Sequence, residues 1–406
     1  MRARLNAIAG WIIRHRSRLP RWVNRALDSA ARDPDGLIGR LAHRALGGGD
    51  APVADVPDAG VRVFIGPTNY SGQGYRWARA LEQADPEIAA RNMEEVLPGG
   101  LSFPADVPVP ISSTSSTEWQ QSEWEAVSRF SHVLIEAERP LFGRLFDRQV
   151  RAEVAALEEA GASVAYLCHG TDIRSPRDHA LRTPWSPYPD DPRTAVLQAD
   201  ADANLALLTE LRRPTFVSTP DLLHDVPWAT WCPVVVDTAR FRARRPAMDR
   251  DRVRVIHSST SVVQKGSHLI EPALASLIAS GDIEYELVTG VAADRMPEVL
   301  SDADIVLDQF RAGSYGVAAC EAMATGRVVV GHVLPDVRRA IEAEVGLPLP
   351  IVEATPDTLG EVVAGLISDR EAAAAAAAAG PVFVEAVHSG RRSAAVLLDG
   401  WIRASG

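Results

Sequence analysis

Asp304-Ile305-Val306-Leu307, then Asp308-Gln309-Phe310-Arg311-Ala312-Gly313-Ser314-Tyr315-Gly316, then an alanine-rich run from Val317 through Glu321 to Gly326, and finally Val328-Val329-Val330, decide the fold. A short, wholly apolar run reads as a strand covered on both faces, and a second such run follows about twenty residues later. The glycine-containing turn and the alanine-rich stretch beginning near Tyr315 supply a crossover helix, so the unit is strand, helix, parallel strand. Working outward, strands of the same character fall at Val61 to Gly66, His132 to Ile135, Ser163 to Leu167, Thr215 to Ser218, Val253 to Ile256 and Tyr285 to Val288, with a helix over Tyr75 to Ala84. The class is α/β, and 406 residues are too many for one ordinary core. The expected architecture is two doubly wound Rossmann-like domains facing a cleft, with an N-terminal helical extension. Residues 1–48 are the extension, 61–236 the first domain, 237–385 the second and 386–406 a C-terminal helix that packs back on the first. Pro233 to Phe241 is the hinge. Ala372 to Ala379, opened by Glu371 and closed by Gly380-Pro381, reads as a surface helix.

Forty-two side chains are basic, and Lys265 alone among them is lysine. Keeping one compact ammonium in an arginine-rich chain marks a site where a guanidinium fork does not serve. The net charge is −11, yet residues 1–48 hold ten arginines against three aspartates. Leu5, Ile8, Ala9, Ile12 and Ile13 recur there at helical spacing, so this head is expected to lie on an anionic membrane surface or to pack on the protein. The acidic remainder excludes nucleic acid as a partner. Cys168, Cys232 and Cys320 have no zinc-binding spacing and read as buried thiols of a cytoplasmic protein. No metal is expected.

Three loops at strand ends carry the candidate chemistry. Gly66-Pro67-Thr68-Asn69-Tyr70-Ser71-Gly72-Gln73-Gly74 precedes a helix, and its glycines permit close approach of main-chain amides to a ligand. Cys168-His169-Gly170-Thr171-Asp172-Ile173-Arg174 sets a histidine beside a carboxylate and a guanidinium, with Trp185, Pro187 and Tyr188 as a wall or as packing. In the opening stretch, the helix start at Ser314, Tyr315, Gly316 and Val317 offers unpaired amides to an anion. Glu321, the one acid between Asp308 and Asp336, needs a partner such as ribose hydroxyls.

The C-terminal half, through Gln264-Lys265-Gly266, Tyr315-Gly316-Val317 and Glu321-Ala322-Met323-Ala324-Thr325-Gly326, resembles the GT-B glycosyltransferases, in particular the retaining glycosyltransferase family 4. The resemblance covers roughly residues 61–405. It implies that Lys265 contacts a donor diphosphate, that Glu321 holds the ribose and that Ser314 to Val317 cradle phosphate oxygens. It implies that His169 lies near the transferred sugar, with Asp172 and Arg174 supporting it, and that Gly66, Asn69, Gly72, Gln73 and Gly74 form the acceptor-side loop. Two positions depart from the pattern: Gly313 stands where a glutamate is usual, and Thr260 where a basic residue is usual. Asp308 and Gln309 are the candidates to compensate in donor binding.

The expected reaction moves a sugar from a nucleoside-diphosphate sugar to a glycan, lipid-linked or small-molecule acceptor, with retention and without a metal or cofactor. Residues 1–48 would hold the enzyme at the inner face of the membrane. The alternatives are a non-catalytic nucleotide-sugar-binding subunit and a GT-B nucleotide-sugar epimerase.

Overall fold

The computed structural model describes residues 51–97, 103–259 and 262–404. The basic segment 1–48 and Thr260 lie outside them. In chain order the elements are β1 (Val61–Gly66), α1 (Gln73–Ala84), β2 (Ile88–Val96), β3 (Val107–Pro110), α2 (Thr117–Val127), β4 (His132–Glu136), α3 (Val150–Glu159) and β5 (Ser163–Cys168). There follow α4 (Pro176–Arg182), α5 (Thr194–Leu211), β6 (Thr215–Val217), β7 (Thr230–Trp231), β8 (Val253–Ser258), α6 (Val262–Lys265), α7 (Ser267–Ser280), β9 (Ile283–Val288) and α8 (Met296–Asp302). The chain closes with β10 (Ile305–Leu307), α9 (Val317–Ala324), β11 (Val328–Gly331), α10 (Pro335–Val345), β12 (Ile351–Glu353), α11 (Leu359–Ser368), α12 (Arg370–Val387) and α13 (Arg391–Leu397).

Two parallel sheets result. The first has the order β3-β2-β1-β4-β5-β6-β7 and the second β12-β11-β10-β8-β9. Every residue of β4, β10 and β11 is buried, which is why β10, β11 and the centre of β4, residues 133–135, are apolar without alternation. Residues up to Tyr166 form one compact unit and those from Leu167 another.

The strand order locates the ligand ends. In an open parallel sheet ligands settle beyond the carboxyl ends of the strands, where the direction of chain progression reverses. In the first sheet that point lies between β1 and β4, and in the second between β8 and β10. The register pairs Ile305 with Val255 and Leu307 with His257, so the segments following Ser258 and Leu307 leave the second sheet side by side.

Strand β2 carries Arg91, Asn92, Glu94 and Glu95 and offers no apolar run to a reader of the sequence. Its polar groups are engaged instead: Arg91 with Asp55, Asn92 with Asp106, and Glu94 with Asn69. The alanine run departs from expectation. It does not stop at Gly380-Pro381 but continues to Val387 as α12, and it is not a surface element, since Ala373 and Ala377 belong to the core of the second sheet with Val255, Leu274, Leu307 and Val330. The small residues let α12 lie close against α9: a Cβ on Gly380 would come within 2.7 Å of the Met323 carbonyl oxygen. Beyond α12, Ser393 donates to the Pro233 carbonyl at 2.7 Å and the Arg392 guanidinium lies 6.0 Å from the Trp231 ring centre.

Replacing Gly380 by alanine should therefore force α12 away from α9 and lower unfolding free energy by about 1–3 kcal/mol, the usual cost of overpacking. Urea denaturation measures it, and an unchanged midpoint would refute that packing.

Candidate functional site

At the β8/β10 switch point the chain places Lys265. Its ammonium donates to the Ser258 carbonyl at 3.1 Å and to Asp308 Oδ1 at 3.2 Å, which uses two of its three donors. Asp308 is buried while Lys265 remains partly exposed. The pair spans the two strands that flank the switch point, and a main-chain bond from Phe310 N to the Lys265 carbonyl, 3.1 Å, runs beside it. Gly266 has φ 73°, a left-handed conformation natural to glycine. A Cβ there would also meet Arg311 Cγ at 2.9 Å. Arg311 crosses over Gly266 to donate to the Trp185 and Ser186 carbonyls, at 2.9 and 2.6 Å, and to Asp190 at 2.6 Å. Gln264 reaches Asp191 at 3.0 Å. The residues on both sides of Lys265 are thus anchored.

The segment after β10 is held with its helix start open. Gln309 donates its side-chain amide to the Ser314 carbonyl and closes the turn. Gly313 has φ 69°, and a Cβ would come within 2.8 Å of Leu334 Cγ. A side chain there would need a left-handed backbone and a shift of the Leu334 side chain. Ser314 is buried beside Asp221, and Tyr315 turns its ring inward to His388, leaving main-chain groups to face a ligand. Gly316 caps α9 without a side-chain bond, and a Cβ on it would meet nothing within 4 Å. The first helical bond is Cys320 N to Gly316 O, so the amides of Val317, Ala318 and Ala319 have no intrahelical acceptor. Glu321 lies half-buried on α9, about one turn further along. Burial holds the Cys320 thiol far above its ordinary pKa, with Asp308 and Glu321 adding to the effect, which rules it out as a nucleophile.

The side chains of three buried histidines, which the sequence does not distinguish from any others, bond to this segment, and His332 reaches Gln309 O through its main-chain amide. His257 bonds Leu307 O through Nδ1 and Ser267 Oγ through Nε2, both at 2.8 Å. His179 bonds Ala312 O through Nε2 at 3.0 Å and Ser186 Oγ through Nδ1 at 2.9 Å. His388 bonds Val234 O through Nδ1 at 2.8 Å and the Tyr315 hydroxyl through Nε2 at 3.2 Å. Burial drives each pKa down to about 4, aided by Arg174 at His179, Lys265 at His257 and Arg392 at His388.

The His169 loop is built differently. The Asp172 carboxylate accepts the amides of His169 and Gly170, so it shapes the loop. Arg174 is buried with Asp221, at 2.5 Å. Burial pushes the Asp221 carboxyl up, but Arg174 and Ser314 outweigh it and leave the pKa below the usual value. His169 itself is half-buried, with its carbonyl held by Ser218 at 3.2 Å. Tyr188 packs edge-on against His179 and Trp185 is half-buried.

At the switch point of the first sheet, Glu136 accepts the amides of Thr68 and Asn69 at 3.1 and 2.9 Å. Asn69 in turn donates to Glu94 and accepts from Tyr75 N. The loop's glycines serve close packing: a Cβ on Gly74 would lie 3.2 Å from Glu136 Oε2, one on Gly72 3.3 Å from Phe103 and one on Gly66 3.2 Å from Met93. Gln73 is buried at the start of α1. Several of this loop's amides therefore have internal acceptors, whereas those at the start of α9 do not.

No protein-family profile matches the sequence, and no curated protein does either. Solved structures do resemble it in fold. HepE of Anabaena, in complex with UDP and glucose, superposes with a TM-score of 0.53 at 13% identity, over 83% of this chain and 99% of that one. Sucrose-phosphate synthase of Thermosynechococcus elongatus gives 0.55 at 11% identity, over 83% and 97%. A glycosyltransferase of Rickettsia africae gives 0.51 at 9%, over 84% and 98%. The chain has the two-sheet α/β architecture of these GT-B glycosyltransferases.

The histidines give a signed pH expectation. Their native pKa values lie below the ordinary value of about 6.5, so the stability each contributes is complete above pH 6.5 and is lost as pH falls toward 4. Glu123 and Glu153, pushed up by burial to about 7 and 8, act in the opposite direction, so wild-type stability alone does not isolate the effect. The destabilisation caused by His388→Gln should be largest above pH 6.5 and shrink by up to about 1.4 kcal/mol per pH unit below it. Urea titrations of both proteins from pH 7.5 to 4.5 test this, and a pH-independent difference would contradict it.

Proposed function

We propose that this protein is a glycosyltransferase that takes a nucleoside-diphosphate sugar at the carboxyl end of its second sheet. The observation that carries this reading is the joining, through Asp308 and Phe310, of the Lys265 ammonium to the segment that opens α9, whose first-turn amides have no intrahelical acceptor. An amine and a helix N-terminus together form a site for a doubly anionic group. The UDP and glucose bound by the structural neighbour HepE favour a nucleotide-sugar ligand for the same architecture. In this reading phosphate oxygens take the third Lys265 donor and compete with Asp308 for the others, while Glu321 holds the ribose.

Breaking the anomeric bond leaves additional negative charge on the diphosphate. Fixed amides and one ammonium oppose that charge where it develops, without reorganisation and without a metal. The departing phosphate accepts the acceptor's proton, so transfer proceeds with retention and needs no enzymic base. His169 stands by the transferred sugar, and Gly66 to Gly74 belong to the acceptor side. Residues 61–236 serve as the acceptor domain, 237–385 as the donor domain and 386–406 as the closing helix, in a cytoplasmic protein whose basic head rests on the inner membrane surface. A lipid-linked or glycan acceptor fits that location best.

The second reading is a non-catalytic nucleotide-sugar-binding subunit. Gly313 favours it, because its left-handed backbone and the close Leu334 side chain disfavour the glutamate that the resemblance would place there. Such a protein would bind nucleotide yet neither transfer sugar nor slowly hydrolyse donor.

Lys265→Ala and Glu321→Ala should each lower turnover by about 10²–10³, and Lys265→Arg should also impair it despite keeping the charge. Initial rates with a panel of nucleotide sugars, on variants with wild-type circular dichroism, are the measurement; wild-type rates in the two alanine variants would remove the donor site. For the head, deletion of residues 1–48 should reduce sedimentation with phosphatidylglycerol-containing vesicles. Unchanged sedimentation would assign the segment to packing.

A further inference from the structure

We propose that His179, His257 and His388 are positioning residues that hold the segment from Leu307 to Val317 in the shape that receives a nucleoside diphosphate. The inference rests on the donor-site reading above and adds residues that neither the motif nor the fold assigns. The three rings come from separate places in the chain: α4, the end of β8 and the residue following α12. They fasten the segment at three successive points, Leu307 O, Ala312 O and the Tyr315 hydroxyl.

The proton inventory leaves one arrangement. A carbonyl oxygen only accepts, so the nitrogen facing it carries the hydrogen, and the other nitrogen of a neutral ring only accepts. His257 therefore donates through Nδ1 to Leu307 and receives the Ser267 hydroxyl proton at Nε2. His179 donates through Nε2 to Ala312 and receives the Ser186 proton at Nδ1. His388 donates through Nδ1 to Val234 and receives the Tyr315 proton at Nε2. Each ring thus bridges two elements in a fixed direction, and both of its nitrogens are spent within the protein.

All three contacts engage carbonyls or side chains of the segment and none takes an amide. Near its end the segment contains the sterically open Gly316, where packing does not restrain the backbone. Fastening it at residues 307, 312 and 315 removes that freedom before a ligand arrives, while the amides of residues 317–319 remain available. Ordering paid for during folding is not charged against binding, which is the basis of preorganisation.

The experiment is isothermal titration of UDP, with ADP and GDP in parallel, against the full chain, Tyr315→Phe, His388→Gln, the double variant, His179→Gln and Lys265→Ala. Tyr315→Phe removes one hydroxyl and keeps the buried ring, so it tests the contact even if a histidine variant fails to fold. Tyr315→Phe and His388→Gln should each weaken the nucleotide that binds wild type by about five- to tenfold, as expected for the loss of one hydrogen bond. The double variant should be no weaker than the poorer single one, and His179→Gln should fall in the same range. A purely structural role would lower the melting temperature and leave affinity, measured well below it, unchanged. Wild-type affinity within twofold in Tyr315→Phe and His179→Gln, with Lys265→Ala weakened, would overturn the positioning role and keep the donor site. If wild type binds none of the three nucleotides, or Lys265→Ala binds as wild type does, the donor site itself falls and this inference with it.

Discussion

A partly exposed ammonium facing a buried carboxylate organises the second half of this molecule. Lys265 and Asp308 are 43 residues apart in sequence, yet each follows one of the two strands that flank the switch point. A carboxylate in Asp308's position is costly without a cation, and removing one member of such a pair strands the other. The contact therefore ties the segment after β8 to the segment after β10. Phe310 N on the Lys265 carbonyl and the stem of Arg311 over Gly266 repeat the same connection through the main chain and through packing.

The framework around that contact is polar and buried. Arg311 donates through Nε and Nη2 to two carbonyls and Asp190, and Arg327 lies buried among the carbonyls of Thr325, Ala303 and Arg245. Asp304 accepts the amides of Met248 and Arg254 and so sets the start of β10. Buried groups of this kind admit few alternative arrangements, because each broken contact leaves a desolvated donor or acceptor. A loop fixed by such contacts keeps its amides aimed.

The two switch points contrast. In the first sheet Glu136 consumes the amides of Thr68 and Asn69, and the surrounding glycines are required by the atoms of Glu136, Phe103 and Met93. In the second, Gly316 faces open space and no side chain caps the helix. At the first site the strand-end carboxylate takes loop amides, whereas at the second the carboxylate after the strand, Asp308, faces the Lys265 ammonium instead. This difference in hydrogen-bond satisfaction, rather than glycine content, separates a tightly packed turn from a helix start whose first-turn amides have no intrahelical acceptor.

Eight strands and the α/β class were legible in the amino-acid sequence, as was the candidacy of Lys265, Asp308 and Tyr315 to Glu321, because continuous apolar runs, a glycine turn and a solitary lysine are local signals. Strand β2 was not legible: its charged side chains are satisfied by residues as distant as Asp55, and periodicity does not encode partners. The alanine run signalled a helix but not its burial against Met323, which depends on how closely another helix approaches. His179, His257, His388 and Arg311 carried no signal, since a histidine that bridges two buried elements has the same letter as one in solvent. Sequence by itself determined eight of the strands, the α/β class and where the candidate loops fall between them. Tertiary structure alone decided which amides are satisfied and which carbonyls are clamped, because hydrogen-bond satisfaction depends on groups far apart in the chain being brought within about 3 Å of one another.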